Sequence, residues 1–355
     1  MRIAVVTVHD SANCGSFLQA YAIKDILSKD GHSVYFVRTR DEKYVRGLYY
    51  RFRLSREWVK HPLLCLKDLI YGIKKYKLYT REQECFETLD TFESDTDITI
   101  LGSDEIWNIK TPVFNNPIFY GKSRKRAVAL AVSAGLATPD DFSAKTELKD
   151  LIKNIDAPLV RDENTADCVE YITGIRPDMV CDPTIMADRE IFFKDYTDEY
   201  LKKNKYVLLY AYEPTKAAQK AFREYADKHG LKLVSAGFSY SWCDYNVMSS
   251  PLELSAVMKN AECVITTTFH GTIFATLNRK QFVCLPLGNK TTDVLKKFGL
   301  SQRHLDFSDL TVDSLESIME EQIDYTAVDI KIEELKKKSL ELLRDRINAV
   351  GGDLS

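Results

Sequence analysis

Short, unbroken apolar runs that alternate with amphipathic segments constrain this chain more than any other feature. Arg2 to Val8 is such a run, followed by a polar turn from Ser11 to Ser16, a helical pattern from Phe17 to Ser28 and a second apolar run from Ser33 to Val37. Runs of this kind suit strands covered on both faces, and two parallel strands need a crossover helix between them. The rhythm continues through strand candidates at 97–101, 126–132 and 157–160, the last leading into a helix that reaches Ile172. It starts afresh at Lys205 to Tyr212, with a helix from Thr215 to His229 and strands at 231–236, 261–267 and 281–285. A doubly wound α/β fold follows, and 355 residues are too many for one ordinary core. We therefore expect two Rossmann-like domains facing across a cleft. The first takes 1–190 and the second 200–330, parted after Asp182-Pro183. Residues 331–355 form an amphipathic helix with Glu333–Lys337 and Glu334–Lys338 pairs, expected to pack back on the domains.

Charge and cysteine usage exclude several classes. Lys and Arg total 49 against 52 Asp and Glu, a net charge of −3, so bulk electrostatics does not point to nucleic acid. No apolar run approaches the roughly 20 residues that span a bilayer, and the chain opens directly into its first strand. The eight cysteines are scattered, with no Cys-x-x-Cys pair, which is the pattern of reduced, packed thiols in a cytoplasmic protein. Neither a metal site nor a disulfide framework is expected. The first turn holds one glycine, Gly15, so the dinucleotide fingerprint is missing.

One segment departs from the average. Residues 38 to 82 interleave basic residues such as Arg40, Arg51, Arg53, Arg56, Lys67 and Lys74 with Tyr44, Leu48, Tyr49, Trp58, Leu63 and Ile70. It reads as a helical insert, basic on one side and apolar on the other. Three uses stand open: a cover over the sheet, a face lying on an anionic membrane, or a grip on an anionic acceptor.

The chemistry is expected at strand ends, where open α/β sheets bind ligands. Ala261 to Thr267 is a buried strand, and Ile273, Phe274 and Leu277 place a helix from about Gly271 or Thr272. Between them stand Thr267, Thr268 and His270. Free N–H groups at such a turn receive phosphate or carboxylate, Gly271 would let a ligand near the backbone, and His270 is a proton donor near neutral pH. A core histidine bonded to a carbonyl is the competing reading. Gly102-Ser-Asp104 and Ser133-Ala-Gly135 are further small-residue strand ends, and Arg161 offers a fork for an anion or pairs with Asp162 or Glu163.

Taken in order, six stretches resemble the polysaccharide pyruvyl transferase family. They are Asn13-Cys-Gly-Ser-Phe-Leu-Gln-Ala-Tyr21, Leu101-Gly-Ser-Asp-Glu-Ile-Trp-Asn108, Val160-Arg-Asp-Glu163, Asp182-Pro-Thr184, Thr267-Thr-Phe-His-Gly-Thr272 and Leu295-Lys-Lys-Phe-Gly-Leu300 with Arg303. The resemblance implies a fold like that of the GT-B glycosyltransferases, and transfer of the enolpyruvyl carbon of phosphoenolpyruvate onto two sugar hydroxyls as a ketal. It implies no cofactor beyond that co-substrate. Arg161 and His270 match the family's donor-holding positions, and with Asp104 they form the expected catalytic set. Thr267, Thr268, Gly271, Thr272, Lys290 and Arg303 are expected on the donor side. Asn13, Gly15, Ser16, Ser103, Asp104 and Ser133 are expected on the acceptor side. Where some members carry an Arg two residues before the His, this chain has Thr268, so one donor clamp is either missing or supplied elsewhere, by Lys290 or Arg303. Cys14 also replaces an aromatic often seen in the first turn. The acceptor is expected to be a cell-surface or exopolysaccharide sugar, including a lipid-phosphate-linked precursor, met in the cytoplasm or at the inner membrane face. A nucleotide-sugar glycosyltransferase and a non-catalytic binder of glycan precursors are the alternatives.

Overall fold

A computed structural model describes residues 1–50, 62–89, 96–122, 124, 126–212 and 214–352. The first sheet holds β1 (Arg2–Val6), β2 (Ser33–Val37), β3 (Thr88–Leu89), β4 (Ile98–Asp104), β5 (Ala127–Val132), β6 (Ala157–Val160) and β7 (Asp178–Met179), in the order β3-β2-β1-β4-β5-β6-β7. The second holds β8 (Tyr206–Tyr210), β9 (Lys232–Ala236), β10 (Tyr245–Val247), β11 (Cys263–Thr266) and β12 (Gln281–Cys284), in the order β10-β9-β8-β11-β12. The strand pairings are parallel in both sheets. The chain is thus two Rossmann-like α/β domains. The unbroken apolar runs form strands because both faces are covered: all six residues of β5 and all five of β8 are buried.

Each sheet packs its outer face on its own helices, with Trp107, Phe119 and Phe142 against the first and Phe222 and Tyr225 against the second. The inner faces share one apolar cluster that runs from Ile3 and Phe17 through Tyr210 and Phe274 to Leu343. Such a shared core fixes the two sets of strand ends opposite one another. The last helix, Tyr325–Gly351, starts six residues before the expected Lys331 and bridges both units. Ser339 Oγ accepts from the amide of Cys181 at 3.0 Å, Arg344 grips Asp30 through Nε and Nη2, and Tyr325 donates to the carbonyl of Lys280.

Two local expectations shift. The helix after β11 begins at Phe269, earlier than expected, because the Thr268 side chain caps it by accepting from Gly271 N at 2.9 Å. The stretch Gly288–Asp293, whose polar, glycine-led composition suits a loop, is already helical from Asn289, where the helix Asn289–Phe298 starts. Its apolar side is carried by Val294, Leu295 and Phe298, all buried, while Lys290, Thr291 and Asp293 of its polar start border the cleft between the domains. Gly299 ends it in the left-handed conformation at φ 72°, as a C-terminal glycine does. The basic insert is helical at Glu42–Tyr50 and Pro62–Gln83. Arg51, Arg53, Arg56 and Trp58 lie outside the described residues.

Candidate active site

The carboxyl ends of β1, β4 and β6 meet those of β8 and β11 across a cleft of about 430 Å³. Asn13, Ser16, Arg40, Leu48, Asp104 and Glu105 line one lip, and Tyr212, Thr267, Thr268, His270 and Lys290 line the other. Two helices start here head to head. Asn13 caps Cys14–Lys29 by accepting from Gly15 N at 2.8 Å, and its amide donates across the cleft to the Tyr212 hydroxyl at 2.9 Å. Opposite, Thr268 caps Phe269–Leu277, while Thr267 Oγ1 accepts from the amide of Tyr212 at 2.9 Å.

His270 sits in the first turn of that helix, only 9 % exposed, and reaches the first domain. A Cβ built on Gly15 would lie 2.1 Å from its Nδ1, so glycine is needed for the imidazole to reach the cleft floor. Its other nitrogen, Nε2, lies 3.7 Å from Asp182 Oδ1 and makes no hydrogen bond.

Asp182 joins the histidine to Arg161. Its Oδ2 accepts from Arg161 Nη1 at 2.8 Å, and its Oδ1 accepts from Thr184 Oγ1 at 2.7 Å and Thr184 N at 3.0 Å. Burial alone pushes this carboxyl's pKa up, but His270, Arg161 and Thr184 more than offset it and hold the group well below the usual carboxylate range. Arg161 is 4 % exposed and is flanked by Phe269, whose ring centroid is 4.5 Å from the guanidinium carbon. Burial works against its charge, and Asp182, Asp162 and Asp104 outweigh burial and raise its pKa. Its Nε and Nη2 are buried without a hydrogen-bond partner. Leaving donors unsatisfied in a dry site is costly, so this fork holds unused capacity for an anion. A small void of about 20 Å³ adjoins Arg161, Phe269, Lys290 and Lys297. That space suits a water-sized guest.

Asp104 ends β4 with φ 70°, unusual for a residue other than glycine. The twist turns its carboxylate toward Ser16 Oγ, which donates at 2.6 Å, and toward the amide of Glu105 at 2.9 Å. Burial raises this carboxyl, but the nearby charges of His270, Lys290 and Arg161 prevail, and its pKa is lowered. Lys290 pairs with Glu105 across the cleft and stands 5.8 Å from the Phe269 ring centroid.

Most sequence-predicted residues converge here: Asn13, Ser16, Asp104, Thr267, Thr268, His270 and Lys290 line the cleft, with Gly15 against the His270 ring and Arg161 behind Phe269. Five others do not line the open space. Ser103 is fully buried and donates to Asp182 Oδ2 at 3.4 Å, and Ser133 Oγ accepts from Gly135 N within its own turn. Gly271 has Thr266 Oγ1 2.1 Å from where a Cβ would stand, so protein and not ligand makes the close approach. Thr272 donates to the carbonyl of Thr268 at 3.0 Å inside the helix. Arg303 is buried and donates to the carbonyls of Ile318 and Glu321, tying down the end of the helix Val312–Glu320. Of the two cations expected near Thr268, Lys290 lines the cleft and Arg303 does not. Phe269, Glu105 and Tyr212 were not singled out from sequence, although the first two lie inside the recognised stretches.

The family model for polysaccharide pyruvyl transferase matches residues 13–289, which contain the cleft residues named above except Lys290. The chain belongs to the polysaccharide pyruvyl transferase family. None of the curated proteins compared with it matches. Among solved structures, this pyruvyl transferase family member resembles a Staphylococcus aureus MnaA–UDP co-structure, with 12 % identity over 98 % of this chain and 96 % of that one and a TM-score of 0.53. It also resembles Arabidopsis thaliana UGT89C1, with 12 % identity over 97 % of this chain and 99 % of that one at a TM-score of 0.53. A third is the glycotransferase of kitacinnamycin, with 12 % identity, 98 % coverage of both chains and a TM-score of 0.51. At such identity these likenesses establish the fold, which is of the GT-B type.

Proposed function

We propose that the cleft transfers the pyruvyl unit of phosphoenolpyruvate to a saccharide diol, forming a pyruvate ketal and free phosphate. The observation that carries this reading is a concentration of unused cationic donors. Arg161 Nε and Nη2 and His270 Nε2 are buried without hydrogen-bond partners beside Lys290. A donor bearing both a carboxylate and a phosphate needs that many positive or N–H contacts.

His270 protonates C3 of the enol, leaving an oxocarbenium-like C2 that the first sugar hydroxyl attacks. The C2–O bond to phosphate then breaks, the second hydroxyl closes the ketal, and the two hydroxyl protons end on C3 and on phosphate. Asp104, kept ionised, is too weak a base to strip a resting alcohol. It accepts a hydrogen bond from the hydroxyl and takes its proton once attack has made the oxygen acidic. Arg161 and Lys290 hold the donor's anionic groups, with the Phe269 ring moving off Arg161 as the donor enters. Asn13, Ser16, Arg40 and Tyr212 form the acceptor lip, and a membrane-borne acceptor would be met on the side of the basic insert.

His270→Ala should lower turnover by the roughly 10²–10⁴-fold typical of general acid catalysis while phosphoenolpyruvate still binds. Arg161→Ala should chiefly weaken donor binding, and Arg161→Lys should restore it poorly because the fork is lost. Phosphate release from phosphoenolpyruvate, with an accepting oligosaccharide present, measures all three. Near-normal turnover of His270→Ala would remove the histidine from the chemistry. A nucleotide-sugar transferase remains the second reading, since the fold's neighbours include one solved with UDP.

A further inference from the structure

The helix Pro62–Gln83 presents an apolar stripe to solvent. Leu63 is 76 % exposed, Leu66 and Ile70 are each 45 % exposed, and Ile73 is 36 % exposed. Their spacing puts all four within roughly 80° of arc on one side of a 3.6-residue helix. The opposite side already carries the packing: Gly72 and Tyr79 are buried, and the Tyr79 ring meets Tyr49 at 6.0 Å. Single exposed leucines are ordinary, but a contiguous stripe on a helix whose other face is occupied is a contact surface.

The charge around the stripe indicates what meets it. Lys67, Lys74 and Lys77 are exposed and border the apolar residues, and the helix bears Lys67, Lys74, Lys75, Lys77 and Arg81 against Asp68 and Glu82. That local excess stands on a chain whose net charge is −3. A second copy of the chain, related by a two-fold axis, would bring these lysines against their own counterparts. Nucleic acid would leave the stripe in water. An anionic bilayer satisfies both parts, with the leucines and isoleucines entering the acyl boundary and the lysine stems reaching back to headgroup phosphates. Among the described residues no helix is long and apolar enough to cross a membrane, so this one would lie in the interface.

We infer that the outward face of Pro62–Gln83 docks the protein on an anionic membrane surface. Lys67, Ile70 and Lys74 also border a groove of about 470 Å³ whose far wall is Ser239, Tyr245 and Asn246 of the second domain. The groove therefore opens toward the bilayer when the helix is seated. The inference does not depend on the identity of the donor.

Flotation of the full chain with vesicles tests it, using phosphatidylcholine alone and phosphatidylcholine mixed with phosphatidylglycerol, each at low and high salt. Binding should appear only with the anionic vesicles and weaken as salt rises. Leu66→Glu with Ile70→Glu should abolish it. Lys67→Glu, Lys74→Glu and Lys77→Glu together should weaken it by about 100-fold, at roughly fivefold per lysine. All five side chains are at the surface, so circular dichroism melts of both variants should match the parent. If one variant fails to fold, the other still decides. No binding, or equal binding to neutral vesicles, overturns the inference. So does light scattering that shows a dimer which Leu66→Glu with Ile70→Glu dissociates, since the stripe would then cover a second copy.

Discussion

Replacing Gly15 by alanine separates catalytic geometry from stability. Gly15 lies in the first turn of the helix Cys14–Lys29, where alanine is intrinsically better by about 0.5–1 kcal/mol. The new Cβ, however, would stand 2.1 Å from His270 Nδ1 and 2.5 Å from its Cγ. Ordinary contact begins at 3.4 Å, so ring and helix must separate by about 1.3 Å. The imidazole has little room to swing aside, with Phe269 edge-on at 5.2 Å and Asp182 3.7 Å beyond Nε2. Most of the separation must come from parting the domain lips. A 1 Å misplacement of reacting groups costs on the order of 10²-fold, equivalent to about 2.7 kcal/mol of barrier. Overpacking costs about 1–3 kcal/mol, part of which the helix gain offsets. The expected result is turnover down about 100-fold, measured as phosphate release from phosphoenolpyruvate, with a stability loss below about 2 kcal/mol in urea unfolding. Gly31→Ala is the control. Gly31 holds φ 83° with nothing within 4 Å, so its substitution should cost stability and spare turnover. Gly15→Ala that turns over like the parent would refute the reasoning.

Other outcomes follow from the same contacts. Asp182→Asn leaves Arg161 buried without its charge partner and should destabilise the fold by about 3–5 kcal/mol in urea unfolding. Because the folded-state pKa of Asp182 is depressed, its contribution is fully present above its unfolded value near 3.9 and is lost as pH falls toward the folded value. The parent should therefore lose stability more steeply than Asp182→Asn below about pH 4. Lys290→Ala should weaken phosphoenolpyruvate binding about tenfold or more, seen by calorimetric titration, with Lys290→Arg retaining most of it. Thr268→Ala removes the cap of Phe269–Leu277 and should cost about 1 kcal/mol of stability.

The fold was legible because its signal is local. Unbroken apolar runs such as Val128–Val132 and Val207–Tyr210 read as strands buried on both faces, and they are. Motif order marked the site for the same reason: strand ends collect at one edge of each sheet, so Asp104, Arg161 and His270 had to converge if both domains formed. What did not show in sequence is how converging side chains share space. Arg161 behind the Phe269 ring, and Asp182 holding both Arg161 and His270, depend on packing between residues far apart in the chain. Arg303 and Lys290 are alike as cations in sequence. They part only because Arg303 points at the exposed carbonyls of a helix end while Lys290 opens a helix at the cleft. Gly15 and Gly271 likewise serve close protein contacts that composition cannot distinguish from room for a ligand.

The identity of the donor is the central claim, and parallel titrations of the parent chain with phosphoenolpyruvate and with a UDP-sugar test it most directly. A ligand at 100 times its dissociation constant stabilises the folded state by about 2.7 kcal/mol, which a thermal melt resolves as a rise of several degrees. The account predicts that rise with phosphoenolpyruvate, its loss in Arg161→Ala, and no shift with the UDP-sugar. A rise with the UDP-sugar and none with phosphoenolpyruvate would contradict it.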